Sequence, residues 1–367
     1  MKNIDTPLIV EKGHKKKDDK KKSFGYQVLG FGGGSVPKKY IVACGGAATV
    51  TDGDFKIHFF TSDATFTISC AGNSAGNNVL QYLVIAGGGG GAGPGIGSGG
   101  GGGGGLRQFL GICNPAMPED LSAPAGLTAA AQSYPIQVGG GGSAQNNGES
   151  SIFSTITSAG GGSSFPSGSF GPYGNGKDGG SGGGGSGGSH SGVSSQTAAG
   201  GSGNTPPQTP PQGKDGGNGY VGYPGCHGNQ GGTGGGGGSA RTTGSSVPTP
   251  NPADYQRGGR NGAHGYAIAN SFFGPAAPSY GDTNPSYSCT RSFTGGGGGG
   301  VMPSTPQYPK GGGTGGYGGG GDSAGAPFWP STPQGHHNGD TNKGGGGGGN
   351  GGSGGSGLVV IKYKFQN

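Results

Sequence analysis

Short apolar runs alternate with glycine along this chain, and the runs have the character of β-strands. From residue 39 the pattern is at its most regular. Tyr40-Ile41-Val42-Ala43-Cys44 is apolar almost throughout. Thr49-Val50-Thr51 leads through Asp52-Gly53, a pair that favours a tight hairpin turn, into Phe55-Lys56-Ile57-His58-Phe59-Phe60. Ala64-Thr65-Phe66-Thr67-Ile68-Ser69-Cys70 alternates with a period of two, which predicts one buried face. After the turn-rich Gly72-Asn73-Ser74-Ala75-Gly76-Asn77-Asn78 comes Gln81-Tyr82-Leu83-Val84-Ile85-Ala86. Helical spacing is absent throughout. The pattern predicts a mainly β protein with almost no helix, based on a small antiparallel β-sandwich over residues 35–86.

The strand ending at Ala86 runs straight into Gly87–Gly91, and the same order recurs. Tyr134-Pro135-Ile136-Gln137-Val138 precedes Gly139–Gly142, and Ser151–Thr157 reads as one strand before Gly160–Gly162. The far edge inverts it, with glycines leading into Gly357-Leu358-Val359-Val360-Ile361-Lys362-Tyr363. Strands at one end of the molecule therefore feed glycine blocks that run away from it. Ordering glycine costs more backbone entropy than ordering any other residue, so such blocks fold only with dense contacts. Polyproline II helices supply them, because backbones without Cβ atoms approach closely enough for interchain hydrogen bonds. No strict Gly-X-Y period persists, which excludes collagen. The expectation is a polyglycine-II-like bundle over 87–357 with long irregular loops, closed by a β-strand at 358–367.

Composition bears on this picture. Glycine accounts for 102 of 367 residues, against a usual share of about 7%, and a disordered low-complexity chain is the competing reading. Only 10% of residues are charged, too few for the charge-driven solvation typical of disorder. Residues 1–22 hold eight lysines and four acids, so +4 of the net +6 sits there. Residues 1–34 read as a flexible Lys-rich arm with a docking strand at Tyr26–Gly32, and the body has no basic face for specific nucleic-acid binding. The five cysteines are scattered without a CxxC pair, and Cys44 and Cys70 read as small apolar strand residues. No secretory h-region and no run of about 20 apolar residues is present, so neither export by a signal peptide nor membrane insertion is expected.

Glycine abundance also creates imitation motifs. Val84–Ala92 mimics a strand and dinucleotide-binding turn without the helix that must follow. Gly171–Lys177 approximates a P-loop, but Asp178 stands where a Ser/Thr is required. His336-His337 near Asp340 reads as a solvated pair rather than a metal site, and no paired carboxylates suggest glycan hydrolysis. The reading is of a non-enzyme without cofactor or metal. The aromatics of the inserted segments are the candidate contact residues: Phe328 and Trp329 with Tyr308 and Tyr317 foremost, then Tyr255, Phe272, Phe273, Tyr280 and Tyr287. Aromatic faces offer large contact area at low entropic cost. The competing role is to plug the ends of the glycine bundle.

Tyr82–Gly91, the strand–glycine units at 134–142 and 152–162, and the closing Gly354–Tyr363 resemble the glycine-rich domain family of phage tail-fibre and adhesin proteins. The run 38–86 is similar to the N-terminal partner region of marine-phage versions. A more distant likeness is to the receptor-binding adhesin of T-even-type phages, in which a polyglycine II sandwich presents variable loops. The resemblance implies a tail-fibre or adhesin-like protein of the virion that attaches non-covalently to the host surface. Its partners would be other virion proteins through the N-terminal region and a host glycan or outer-membrane receptor. A homo-oligomer such as a trimer is left open. The alternative is a purely structural virion protein, a capsid decoration or fibre component that needs no receptor. A disordered RNA-binding chain is disfavoured by the lack of Arg-Gly-Gly repeats. The long segments 106–133 and 241–294 depart from the family pattern.

Overall fold

A computed structural model describes residues 36–94, 97–111, 121–165, 174–187, 196–221, 235–247, 258–301, 311–323 and 337–367. The base of the molecule is built from β1 (Ile41–Cys44), β2 (Ala48–Asp52), β3 (Phe55–Phe60), β4 (Ala64–Ala71) and β5 (Val79–Ile85). It also uses β6 (Leu106–Phe109), β7 (Leu127–Thr128), β8 (Ser133–Gln137), β9 (Ser151–Phe153) and β10 (Ile156–Ser158). Further along the chain lie β11 (Gln196–Ala198), β12 (Gly219–Val221), β13 (Tyr266–Ala269), β14 (Asp282–Asn284), β15 (Tyr287–Phe293) and β16 (Leu358–Lys364). Among the described residues, helix is confined to the single turn α1 (Asn270–Phe273) and the 3-10 turn Gly274–Ser279 that follows it.

One sheet runs β1-β4-β8-β9-β10 and the other β2-β3-β16-β5-β6, with antiparallel pairing between their strands. The sandwich is therefore not confined to 35–86. The closing strand β16 is its centre, with Ile361 opposite both His58 of β3 and Tyr82 of β5. The Asp52-Gly53 hairpin forms as expected, with Gly53 at φ 56° in the left-handed region. The run Ser151–Thr157 is not one strand. It folds back as the hairpin β9–β10 through Ser154 at φ 55°, which brings Phe153 opposite Ile156.

Apolar residues of both parities in β16 call for cover on two faces, and two cores supply it. Between the sheets, Phe60, Val84, Val359, Ile361 and Tyr363 pack on Phe66, Ile68, Tyr134, Ile136 and Phe153. On the opposite face, Ile57, Phe59, Leu83, Ile85, Leu358 and Val360 meet Tyr266, Ile268, Phe272, Phe273 and Phe293. The second cover is the three-stranded sheet β13-β15-β14 with α1, making the base three layers rather than two. The period-two reading of β4 holds, with Phe66 and Ile68 inward. Cys44 and Cys70 lie in strands β1 and β4, Cys44 exposed and Cys70 half-buried, both on the outward side of the sheet.

Above the base the glycine blocks form a hydrogen-bonded lattice with a period of three. In segment 99–105, Gly100 and Gly103 donate to Gly235 and Gly238; Gly101 and Gly104 donate to Gly347 and Gly344; Gly102 and Gly105 donate to Gly162 and Ala159. The same segment accepts from Ala86, Gly89 and Ala92, from Gly184 and from Gly297. Donors that repeat every third residue are the mark of a polyproline II helix, and a segment bonded to six different neighbours sits in hexagonal packing. At the rim, where neighbours run out, side chains take their place. Asn175, Asp178, Asp215, Asn218, Asn261 and Asn338 each accept the N–H of an adjoining segment through a carbonyl or carboxylate oxygen at 2.6–3.0 Å. These residues close an edge that would otherwise leave backbone donors open to another chain.

One buried ionisable group ties the base together. His58 is 2% exposed. Its Nδ1 lies 2.7 Å from the carbonyl oxygen of Gly45, which can only accept, so Nδ1 carries the proton; Nε2, 3.1 Å from the Tyr363 hydroxyl, accepts. Burial, with help from Lys56 and against the Gly45 bond, holds the imidazole below its usual range. Burial likewise pushes the Tyr363 hydroxyl up to about 12. The unfolded chain takes the His58 proton more readily than the folded one. Stability from this group is thus whole above an unfolded value of about 6.5 and is lost as pH falls through the folded value. The urea midpoint is expected to be level from pH 8 to 7 and to decline below about 6.5, and His58→Gln to flatten that decline. Equal slopes in the two proteins would assign the effect to another group.

Candidate functional site

The described aromatic candidates do not converge. Tyr255, Tyr308, Phe328 and Trp329 lie outside the described residues. Phe272 and Phe273 are fully buried under the β2-β3-β16-β5-β6 sheet, which corrects their assignment to a contact surface. Their α1 turn is fixed by Lys362, whose Nζ donates to the Ser271 and Phe272 carbonyls at 2.8 and 3.3 Å. Tyr280 and Tyr287 are partly buried against the same core, and Tyr280 stacks on Phe59 with ring centroids 4.3 Å apart. All four serve the base, because the exposed face of β3, β5 and β16 would otherwise be apolar.

Only Tyr317, 45% exposed, is a described candidate in the open. It sits where segment 311–317 turns back through Gly318 and Gly319, whose φ values of 100° and 87° are open to glycine but strained for other residues. Its ring stacks on the exposed His264, with centroids 4.5 Å apart and planes within 17°. The Tyr317 N–H donates to His264 Nδ1 at 3.2 Å, which places the neutral imidazole's proton on Nε2. Burial, then Arg241, keeps His264 below its usual range.

Three turns meet around this pair. Ser239 Oγ accepts from the Arg241 and Thr242 amides and donates to the His264 carbonyl at 2.7 Å, which sets Arg241 beside the imidazole. On the other side, Asp282 accepts from the Gly318 and Gly319 amides at 2.8 and 2.7 Å and pairs with Lys343. Lys343 also reaches Asp340 at 2.6 Å. Burial opposes the charged Asp282, but the bonds from Lys343 and the two amides outweigh it and hold the carboxyl below its usual range. Burial opposes the Lys343 ammonium too, and its two carboxylates outweigh that and push it up. The result is a stacked aromatic pair with Arg241 on one side and the Asp282–Lys343–Asp340 cluster at the adjoining Gly318–Gly319 turn. His264, Arg241, Asp282 and Lys343 carry no local sequence signal; only the fold assembles them.

The imitation motifs are absorbed by the lattice. Gly87, Gly88 and Gly89 spend their amides on Glu149, Gly355 and Gly102. Lys177 bonds Ser163 through its amide and lays its ammonium 4.2 Å over the Phe165 ring. His336 is outside the described residues, while His337 faces Asp322 at 3.3 Å and Asp340 is held by Lys343. Among the described residues no three His, Cys, Asp or Glu side chains are grouped to hold a metal ion.

The described residues on either side of the segments with Tyr255, Tyr308, Phe328 and Trp329 lie at one pole of the bundle. Gly258 and Gly259 adjoin Gly311 there, Gly300 bonds Ser98, and Ser323 bonds Gly349. The opposite pole holds Lys39, which bonds Asn73 and Asn77 at the outer end of the base, close to where residues 1–35 join. A family model described as a glycine-rich domain matches residues 61–364. No curated protein matches the chain.

Proposed function

We propose, for a chain that belongs to the glycine-rich domain family, that it is a phage tail-fibre or adhesin-like virion protein attaching non-covalently to the host surface. The base joins the particle, with residues 1–35 as the tether to other virion proteins, and the far pole faces outward. One observation carries this reading: the described residues that flank the segments holding Tyr255, Tyr308, Phe328 and Trp329 lie at the pole away from Lys39. Aromatic residues in segments that join the bundle at that pole suit recognition of a glycan or outer-membrane receptor. Many copies on one particle convert weak single contacts into firm attachment. No covalent chemistry and no cofactor enter the proposal.

The rival is a purely structural virion protein, favoured by the use of Phe272, Phe273, Tyr280 and Tyr287 as packing. The two separate in a cell-binding experiment. Residues 311–323 and 337–343 belong to the lattice, so only 302–310 and 324–336 are replaced by short glycine linkers. Fluorescent parent protein is expected to decorate some members of a panel of bacterial cells, and the doubly shortened protein, with an unchanged thermal transition, to lose at least about tenfold of that signal. Folded parent protein that decorates no cell would favour the structural role.

A further inference from the structure

The stacked Tyr317–His264 pair differs from the ring pairs of the core in being open to solvent. It is also held in place before any ligand arrives, by the Tyr317 N–H to His264 Nδ1 bond and the Ser239 hydroxyl on the His264 carbonyl. An exposed plate of this kind offers a π-face to the C–H side of a flat, partly apolar ring, with little entropy left to lose. Arg241 stands beside His264, Lys343 and Asp340 flank Gly319 at the turn after Tyr317, and the exposed Thr242 bonds the His264 carbonyl through its hydroxyl. Asp282 and Asp340 both pair with Lys343, so their two charges offset those of Lys343 and Arg241 together, and the patch favours a neutral polyhydroxylated ligand over a phosphate-bearing one.

We propose that this patch is a saccharide-binding site, in which a pyranose ring lies on the Tyr317–His264 plate and its hydroxyls bond the flanking charged side chains. The site lies on the flank of the bundle near the base, away from the far pole. It deepens the attachment reading by naming a ligand class, and rests on that reading for its setting. On a multivalent particle it adds contacts along the fibre side.

The test is saturation-transfer NMR on the full chain with methyl β-D-galactopyranoside, methyl α-D-glucopyranoside and N-acetylglucosamine. Transfer to ring C–H protons of at least one sugar is expected. It should persist within about twofold in Tyr317→Phe and weaken by about tenfold in Tyr317→Ala, as loss of one aromatic contact would produce. Thermal transitions of both variants should match the parent. No transfer from any of the three sugars, or transfer unchanged in Tyr317→Ala, overturns the proposal. So does transfer to the base protons of adenosine monophosphate but not to sugars. The readout is sugar protons on purified protein, so failure here leaves cell attachment by the far pole standing, and failure of cell attachment leaves this result standing.

Discussion

Gly101→Ala is expected to abolish the cooperative fold, while Gly311→Ala leaves stability within about 1 kcal/mol of the parent or slightly raises it. The two substitutions add the same methyl group to the same kind of residue. At Gly101 that methyl would fall inside van der Waals contact with the carbonyl oxygen of Gly89, with the carbonyl carbon of Gly89 at 2.7 Å and that of Gly90 at 2.9 Å. At Gly311 nothing lies within 4 Å. Side chains can change rotamer to admit a methyl, but a backbone held by its own hydrogen bonds cannot. Gly101 donates to Gly347 and accepts from Gly297, and moving Gly89 breaks its bonds to Gly102 and from Gly347. Overpacking alone costs about 1–3 kcal/mol, and each buried backbone group left unpaired adds about 1–3 more. The total is on the order of the whole net stability of a domain, ~5–15 kcal/mol. Urea unfolding followed by circular dichroism, with limited proteolysis beside it, separates the outcomes. A folded Gly101→Ala protein with an unmoved midpoint would sink the close-packed lattice.

The same comparison shows why some features were legible in the chain and others were not. The strands Val79–Ile85 and Leu358–Lys364 were readable because glycine on one side isolates runs rich in Val, Ile and Tyr, and they do pair. The need for a bundle was readable from the glycine blocks those strands feed. Which block lies beside which was not, because glycine has no side chain to distinguish one neighbour from another; partner choice is set by where the turns fall. The third layer of the base does leave a signal in the chain. Leu358-Val359-Val360-Ile361 is apolar at both parities, so neither face of that strand can meet water. The cover, Tyr266–Phe293, carries little signal of its own, because Phe272-Phe273 is followed by Gly274-Pro275 and a second proline at Pro278, in a short helical turn with no periodic pattern. The Tyr317–His264 plate had no signal at all. Its residues are 53 positions apart, and neither neighbourhood has any periodic pattern. It exists only because two turns of the lattice end side by side.

Ending the chain at Gly357 is expected to cost as much as the glycine substitution, by a different route. The lost segment β16 lies between β3 and β5, pairing with both along most of its length. Leu358, Val359, Val360, Ile361 and Tyr363 are all buried. At about 1.5–3 kcal/mol for each buried side chain of this size, their removal forfeits roughly 8–15 kcal/mol, again the scale of the whole stability. Two further losses add to it. Tyr363 no longer donates to His58 Nε2, and Lys362 no longer pins α1 through the Ser271 and Phe272 carbonyls. Both faces of the base open at once, since β16 supplies residues to each core. The strands β3 and β5 are then left as unpaired apolar edges, which are templates for aggregation. His58 and Tyr363 stand 305 positions apart, so the sheet completes only after the intervening chain has been traversed, and closing so long a loop places this pairing late in folding. The expected result is insoluble or protease-sensitive protein on expression. Supplying residues 358–367 as a separate peptide during refolding from urea should recover part of the soluble, protease-resistant fraction. A soluble truncated protein with a cooperative transition would show that the lattice stands without its central strand, and would reverse the order in which base and bundle depend on each other.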